Sequence, residues 1–168
     1  NTNDLANKDY ELENVATVPS VTQDVAMDGT VDGIYFYGAS LLFESKVAIR
    51  YYFGASNGVD GYTFCVGDAS YTAKEKDGYY YVDIPGINPQ DLDKTVELTV
   101  TGADNAELTV AYSPLMYIQR MYHKDNSSAE LKNLLQAMYG YHLAAATFTG
   151  IQEEETLPDT TVYYWNDF

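Results

Sequence analysis

Residues 76–84 read KDGYYYVDI, and this stretch decides the fold class. Its Asp-Gly pair supplies the positive φ that a tight hairpin turn requires. Behind the turn, the side chains alternate with the period of a strand that buries one face. The inward set is Tyr80, Val82 and Ile84, and the outward set is Tyr79, Tyr81 and Asp83. The stretch therefore predicts one arm of an antiparallel hairpin.

The same alternation recurs on both sides of this hairpin. Residues 47–53 alternate apolar side chains with Arg50 and Tyr52, which fall on the outward face. Further strands are predicted at residues 34–37, 62–66, 70–75, 96–100 and 108–112. Short strands of this kind, joined by tight turns, are typical of an antiparallel sandwich. We expect a sandwich-like antiparallel sheet of six to seven strands.

The period changes toward the C-terminus. Ser113-Pro114 places a capping residue before a proline at the first helical position, where its missing N–H costs nothing. Ser127 and Glu130 match a capping box, and an apolar stripe at helical spacing follows over residues 131–145. Two C-terminal helices should therefore close over one end or one face of the sheet. The predicted fold class is α+β.

Charge excludes several classes of partner. The 168 residues carry 25 Asp and Glu against nine Lys and Arg, a formal net charge of −16. This charge repels a phosphate backbone and an anionic membrane surface, so no nucleic-acid partner is expected. No apolar run of about 18 residues occurs, so we also expect no membrane insertion. Cys65 is the single cysteine and allows neither an intrachain disulfide nor a multi-cysteine zinc site.

Acidic residues gather at the two ends of the chain. Residues 1–33 hold seven acids and one lysine, and residues 150–168 hold five acids and no base. We interpret 1–33 as an acidic linker or a loosely docked extended segment that contributes little stability. Residues 34–148 are predicted to form a single β-rich domain with the C-terminal helix pair. Residues 149–168 form an acidic tail and a possible edge strand.

The order of four short motifs resembles a known module. These motifs are YGASL at 37–41, DGYYYV at 77–82, YSPL at 112–115 and LKNLLQAMY at 131–139. In this order they resemble an uncharacterised accessory module repeated in large secreted and cell-surface proteins of gut and rumen Firmicutes, Ruminococcus-like species especially. The resemblance covers roughly residues 34–148. It implies an extracellular or cell-surface location and carries over no ligand and no catalytic residue.

No residue pattern predicts catalysis or a cofactor. Residues 54–58 match G-x-S-x-G, but a nucleophile elbow needs a following helix and a strand is predicted there instead. His123 and His142 are too far apart for a metal pair on one helix face, and Cys65 has no adjacent base. Aspartates recur every fourth residue in the N-terminal segment without the spacing of a calcium loop. We therefore predict no enzyme activity, no metal site and no cofactor.

Tyrosine is the feature that suggests a function, with 17 copies against six Phe and one Trp. Aromatic rings stack on the apolar C–H faces of sugars, while neighbouring polar groups bind the hydroxyls. If the two tyrosine-bearing strands are neighbours, three outward rings form a platform and a carboxylate beside them can accept hydroxyl hydrogen bonds. The candidate ligand-binding residues are Arg50, Tyr52, Tyr79, Tyr81, Asp83 and Trp165.

Two functions are consistent with these patterns. The first is a non-catalytic extracellular accessory module that acts as a structural or protein-interaction domain, with neighbouring modules of the same polypeptide as partners. The alternative is a carbohydrate-binding module that holds a glycan on surface tyrosines. The first function predicts that the helices cover the outward tyrosines as a second core layer, and the second predicts that the rings are exposed.

Overall fold

A computed structural model describes residues 17–20 and 24–152, with side chains as far as residue 147. The strands in this part of the chain are β1 Ala26–Asp28, β2 Ile34–Phe43, β3 Val47–Ala55, β4 Thr63–Val66, β5 Ala69–Tyr71, β6 Lys74–Lys76, β7 Tyr79–Ile87, β8 Val96–Thr101 and β9 Glu107–Tyr112. Helices α1 (Pro114–Tyr122) and α2 (Ala129–Gln152) follow them. The α+β class and its two C-terminal helices are confirmed.

The strands form two antiparallel sheets with the core between them. One sheet has the order β1-β9-β8-β4-β5, and the other has the order β2-β3-β7-β6. The inward side chains of β3 meet the opposite sheet directly: the ring of Phe53 lies 5.5 Å from Phe64, and Tyr51 lies 6.5 Å from Tyr112. Tyr51 and Phe53 are fully buried. This arrangement is the sandwich that the alternating pattern predicts.

Two predicted strands differ from the structure. The strand expected over 70–75 is split into β5 and β6, which belong to different sheets. The strand expected to end at residue 37 continues as the ten-residue β2, past a β-bulge between Phe36 and Gly38. The glycine there interrupts the apolar pattern without ending the strand, because a bulge inserts one residue into a continuing ladder.

Of the two predicted helix starts, one is confirmed and one is wrong. The Ser113 cap is confirmed, since its Oγ accepts a hydrogen bond of 3.2 Å from the Met116 amide. The Ser127–Glu130 capping box is wrong: α2 begins one residue later than that box requires. Its cap is Ser128, whose Oγ accepts from the Leu131 amide at 3.1 Å. Serines at both positions made the two registers indistinguishable in the sequence.

The helices close one end of the sandwich. α1 packs against α2 and touches β2, where Phe43 meets Tyr117 at 6.4 Å between ring centroids. α2 lies against the short 3-10 turn Pro89–Asp91, and its His142 Nδ1 donates to the Pro89 carbonyl at 2.7 Å. These contacts lie where β2, β7 and β9 end, so of the two predicted placements, one end or one face, the structure shows the end.

The described part of the N-terminal segment packs on the sandwich. β1 pairs with β9, and Val18 and Val31 are buried. His123 Nε2 lies 3.1 Å from the Val18 carbonyl oxygen, and Arg120 pairs with Asp24 at 2.7 Å. Residues 17–20 and 24–33 thus supply an edge strand and two core valines, in a segment expected to be a linker or a loosely docked extension.

The predicted acidic tail begins inside a helix. Residues 149–152 continue α2 to Gln152. The rest of the tail, with the candidate residue Trp165 and the possible edge strand, lies outside the described residues.

Candidate functional site

The sheet β2-β3-β7-β6 carries an outward row of tyrosines. We call the outward side chains of its first three strands the tyrosine face: Tyr35, Tyr37, Tyr52, Tyr79 and Tyr81. Residues directly opposite each other in an antiparallel pair project from the same side of the sheet. β3 and β7 are neighbours, with Tyr52 opposite Tyr81 and Arg50 opposite Asp83. The structure therefore brings together all the candidate residues that it describes.

Arg50, Asp83 and Tyr81 form one rigid group on this face. The guanidinium of Arg50 donates to both carboxylate oxygens of Asp83, at 2.7 and 2.9 Å. It also lies 3.9 Å from the centroid of the Tyr81 ring, within the range of a cation–π contact. The hydrogen bond to Asp83 raises the pKa of Arg50, which keeps the guanidinium charged. Arg50 and Asp83 thus neutralise each other and hold the Tyr81 ring in place.

This pairing changes the role expected for Asp83. The sequence suggested a carboxylate that is open to sugar hydroxyls, whereas both of its oxygens already accept from Arg50. Its side chain keeps 30% of its surface exposed, against 18% for Arg50. Each carboxylate oxygen can accept a further hydrogen bond, so a bidentate arginine orients the group without exhausting it.

Tyr52 lies at the helix-proximal part of the face. Its hydroxyl is 3.1 Å from the hydroxyl of Ser40 on β2. Burial raises the pKa of Tyr117 on α1, and the nearby Tyr52 phenol raises it further. α1 therefore borders the tyrosine face at Tyr52. The alternative in which the helices cover the face holds at this border, whereas Tyr35, Tyr37 and Tyr79 are exposed.

Tyr37 and Tyr79 form a stacked pair that the sequence did not indicate. Their ring centroids are 4.7 Å apart at an interplanar angle of 38°, and their hydroxyls are 3.5 Å apart. The hydrogen bond that Tyr79 donates to Tyr37 raises the pKa of Tyr79. Tyr37 is 59% exposed and Tyr79 39% exposed. The pair spans from β2 to β7, across the intervening β3.

Glycine makes room for Tyr35 on the same face. Tyr35 is opposite Gly54 of β3, and a Cβ on residue 54 would overlap the Tyr35 ring. The ring therefore lies across the strand at Gly54, while Tyr35 as a whole remains 56% exposed. Gly54 is the first glycine of the G-x-S-x-G match, and this close approach gives it a packing role.

The sequence alone indicates that Tyr35 and Tyr37 point outward, but not what they contact. Both alternate with Ile34 and Phe36, so the period of two places them outward. The strand that pairs with these residues could not be predicted from the sequence, because residues 38–45 looked like a turn and no partner strand could be assigned. The bulge at 36–38 then determines how Tyr37 reaches Tyr79, and no local pattern encodes that contact.

The helices leave three rings of the face exposed. α1 reaches the face at Tyr52, whereas Tyr35, Tyr37 and Tyr79 keep 56%, 59% and 39% of their surface exposed. Tyr79 begins β7 and precedes Tyr80, which is opposite Phe53, so Tyr79 lies at the same end of the sheet as Tyr35. Within the described chain, Tyr35, Tyr37 and Tyr79 thus form an open aromatic patch at the end of the sheet opposite the helices.

The other chemical candidates lie apart from one another. Ser56 follows β3 and leads to β4 rather than to a helix, whereas both histidines bind backbone carbonyls at the helix end. The Cys65 thiol lies 3.6 Å from the Ser70 hydroxyl. Across residues 17–20 and 24–152, no three His, Cys, Asp or Glu side chains gather as a metal site. Neither described helix is long and apolar enough to cross a membrane.

A shallow depression of about 420 Å³ lies at the same end of the sandwich as Ser56. Val31, Asp32, Asn57 and Tyr62 contribute to its lining. The Tyr62 hydroxyl donates to the Asp32 carbonyl at 2.7 Å, which ties two loops together. This hydrogen bond joins the two loops that border the depression.

Comparison of the chain with protein-family models, with curated proteins and with solved structures gives no match. Any function assigned to the tyrosine face therefore rests on the geometry of the face itself.

Proposed function

We propose that this chain is a non-catalytic binding module that holds a glycan on the tyrosine face. The observation that carries the proposal is the open patch of Tyr35, Tyr37 and Tyr79, which are 56%, 59% and 39% exposed. Monomeric proteins seldom leave large aromatic side chains clustered in water unless they serve as a binding surface. Flat rings with hydroxyls at their rim suit a sugar, because each sugar ring combines a C–H face with hydroxyl edges.

The setting belongs to the same proposal. The motif order resembles an accessory module of large secreted and cell-surface proteins, in which the module would anchor its parent chain to a polysaccharide. Rigid side chains favour this role, since Tyr52, Tyr79 and Tyr81 each contact another side chain of the sheet. Little side-chain entropy is then lost on binding.

Affinity electrophoresis through gels that contain a single polysaccharide tests the proposal. We expect at least one plant or bacterial cell-wall polysaccharide to retard the protein. Tyr37→Ala with Tyr79→Ala should weaken that retardation by about tenfold or more, since each aromatic contact contributes about 0.5–1.5 kcal/mol. Both side chains are exposed, so the circular dichroism spectrum of the variant should stay unchanged.

Met27→Ala is the matched control. Met27 is 58% exposed, and it lies on β1 of the other sheet. Its removal deletes exposed apolar surface away from the rings and should leave retardation unchanged. Equal retardation of the Tyr37/Tyr79 variant and the original protein would contradict a site on the tyrosine face.

A second candidate function rests on the edge strand β2. This strand is ten residues long and, in the described chain, pairs on one side with β3. An open edge of that length can accept a further strand, as in proteins that join modules by β-augmentation. Self-association in sedimentation, unaffected by the Tyr37/Tyr79 variant and without retention on any polysaccharide, would favour this structural role.

A further inference from the structure

Two lysines extend the tyrosine face on its β6 side. Lys76 is directly opposite Tyr79, and Lys74 is directly opposite Tyr81. Because opposite residues share a side of the sheet, both lysines project beside the rings. Both are exposed. The row from Tyr35 to Lys76 crosses β2, β3, β7 and β6, a width of about 14 Å at about 4.8 Å between strands.

The charges on this face differ from those of the rest of the chain. The chain has 25 acids against nine bases. The tyrosine face together with its extension on β6 has three bases, Arg50, Lys74 and Lys76, and one acid. Asp83 is that acid, and Arg50 already pairs with it. In the described part of the chain, neither Lys74 nor Lys76 forms an ion pair. The face therefore carries two uncompensated positive charges.

The acids nearest in sequence do not remove this excess. Glu75 lies between the two lysines on β6, so alternation sends its side chain to the other side of the sheet. Asp77 lies in the turn after β6, where its φ of 54° belongs to the hairpin geometry. Glu75 thus lies away from the rings, and Asp77 forms no ion pair with either lysine in the described chain.

From this arrangement we infer that the glycan is acidic, with carboxylate or sulfate groups that meet Lys74 and Lys76 while its sugar rings stack on the tyrosines. This inference rests on the proposed glycan-binding function and names its ligand class. A neutral glycan could accept hydrogen bonds from the two lysines but would gain no charge pairing with them. An anionic polymer without sugar rings would leave the aromatic rings unused.

Matched polysaccharides separate charge from stacking. Polygalacturonate and its methyl-esterified form share a backbone and differ in carboxylate charge, and dextran sulfate and dextran differ in the same way for sulfate. We expect the charged member of at least one pair to bind about tenfold more tightly at low salt, given two favourable surface charge contacts. The pair that shows the preference tells whether carboxylate or sulfate is recognised. The preference should shrink at high salt, because salt screens exposed charges.

Charge-neutral variants locate the effect. Lys74→Gln with Lys76→Gln should reduce the preference to less than about twofold while leaving the neutral polymer's binding unchanged. Lys124→Gln with Lys132→Gln, on the helix side of the molecule, changes net charge equally and should keep the preference. Circular dichroism should show all variants folded, since Lys74 and Lys76 are exposed on an edge strand.

The outcomes separate this inference from the function on which it rests. Equal binding of charged and neutral polymers, sensitive to Tyr37→Ala with Tyr79→Ala, would overturn the acidic ligand and keep the glycan function. An equal loss of preference in the Lys124/Lys132 variant would also overturn it, as would equally tight binding of polyglutamate. Failure of every polysaccharide to bind would overturn both.

Discussion

Tyr51 and Tyr112 meet at the centre of the sandwich, one from each sheet, and their hydroxyls have opposite environments. The ring centroids are 6.5 Å apart in an edge-on contact, and both residues are buried. The Tyr51 hydroxyl donates to the Val96 carbonyl at 2.7 Å. The Tyr112 hydroxyl is buried and has no hydrogen-bond partner among the described residues. The same chemical change at the two positions should therefore have different consequences.

Phenylalanine removes the hydroxyl and keeps the ring. For Tyr51→Phe, the net hydrogen bond contributes about 0.5–1.5 kcal/mol, and the Val96 carbonyl loses its partner, so we expect a loss of about 1.5 kcal/mol in the free energy of unfolding. For Tyr112→Phe, the desolvation cost of an unpaired hydroxyl disappears, so we expect no loss and a gain of up to about 1 kcal/mol. The difference corresponds to roughly 6 °C in Tm for a chain of this size.

Urea unfolding followed by far-UV circular dichroism measures both variants. The slope of the transition should remain unchanged, because the surface exposed on unfolding is nearly the same. A Tyr112→Phe variant that loses more than about 1 kcal/mol would show that its hydroxyl has a partner in the folded protein. An unchanged Tyr51→Phe variant would show that the link to Val96 adds nothing to stability.

Two further predictions concern the same core and the N-terminal segment. Burial raises the pKa of both Tyr51 and Tyr112 above their ordinary value of 10.0. Because the folded state holds these protons more tightly than the unfolded state, their contribution is complete below pH 10 and is lost as pH rises above it. The double Phe variant should therefore lose less stability than the original protein when urea unfolding is measured at increasingly alkaline pH. Equal losses of stability in the two proteins would contradict the raised pKa of Tyr51 and Tyr112. Val18 is 1% exposed, so Val18→Ala should cost about 1.5–2.5 kcal/mol in thermal unfolding, whereas Met27→Ala at 58% exposure should cost almost nothing. A harmless Val18→Ala would return residues 17–20 to the loosely docked segment that their composition suggests.

Short-range patterns in the sequence predicted the strands at 47–53 and 79–84 and their faces correctly. Alternation over 47–53 and 79–84 places Tyr51 inward and Arg50 outward, as the structure does. The Asp77-Gly78 turn is also confirmed, since both residues have positive φ, at 54° and 85°. These features depend on the allowed φ/ψ of a few residues and on the period of two, so a window of ten residues contains them.

Part of the candidate site followed from the same patterns. The sequence placed Tyr52, Tyr79 and Tyr81 outward and made a platform conditional on neighbouring strands. The register of β3 with β7 satisfies that condition. It also pairs Asp83 with Arg50, which the sequence did not anticipate.

The sequence by itself determined where most of the strands and both helices lie, and which side chains of 47–53 and 79–84 point outward. The tertiary structure decided which strands became neighbours: β3 pairs with β7 across three intervening strands, and the predicted strand at 70–75 divides between two sheets. It also decided that Tyr37 stacks on Tyr79, 42 residues away, next to the bulge between Phe36 and Gly38. The physical reason is range, because alternation and turn geometry are local free-energy preferences, whereas strand order minimises the exposed apolar surface of the whole chain at once.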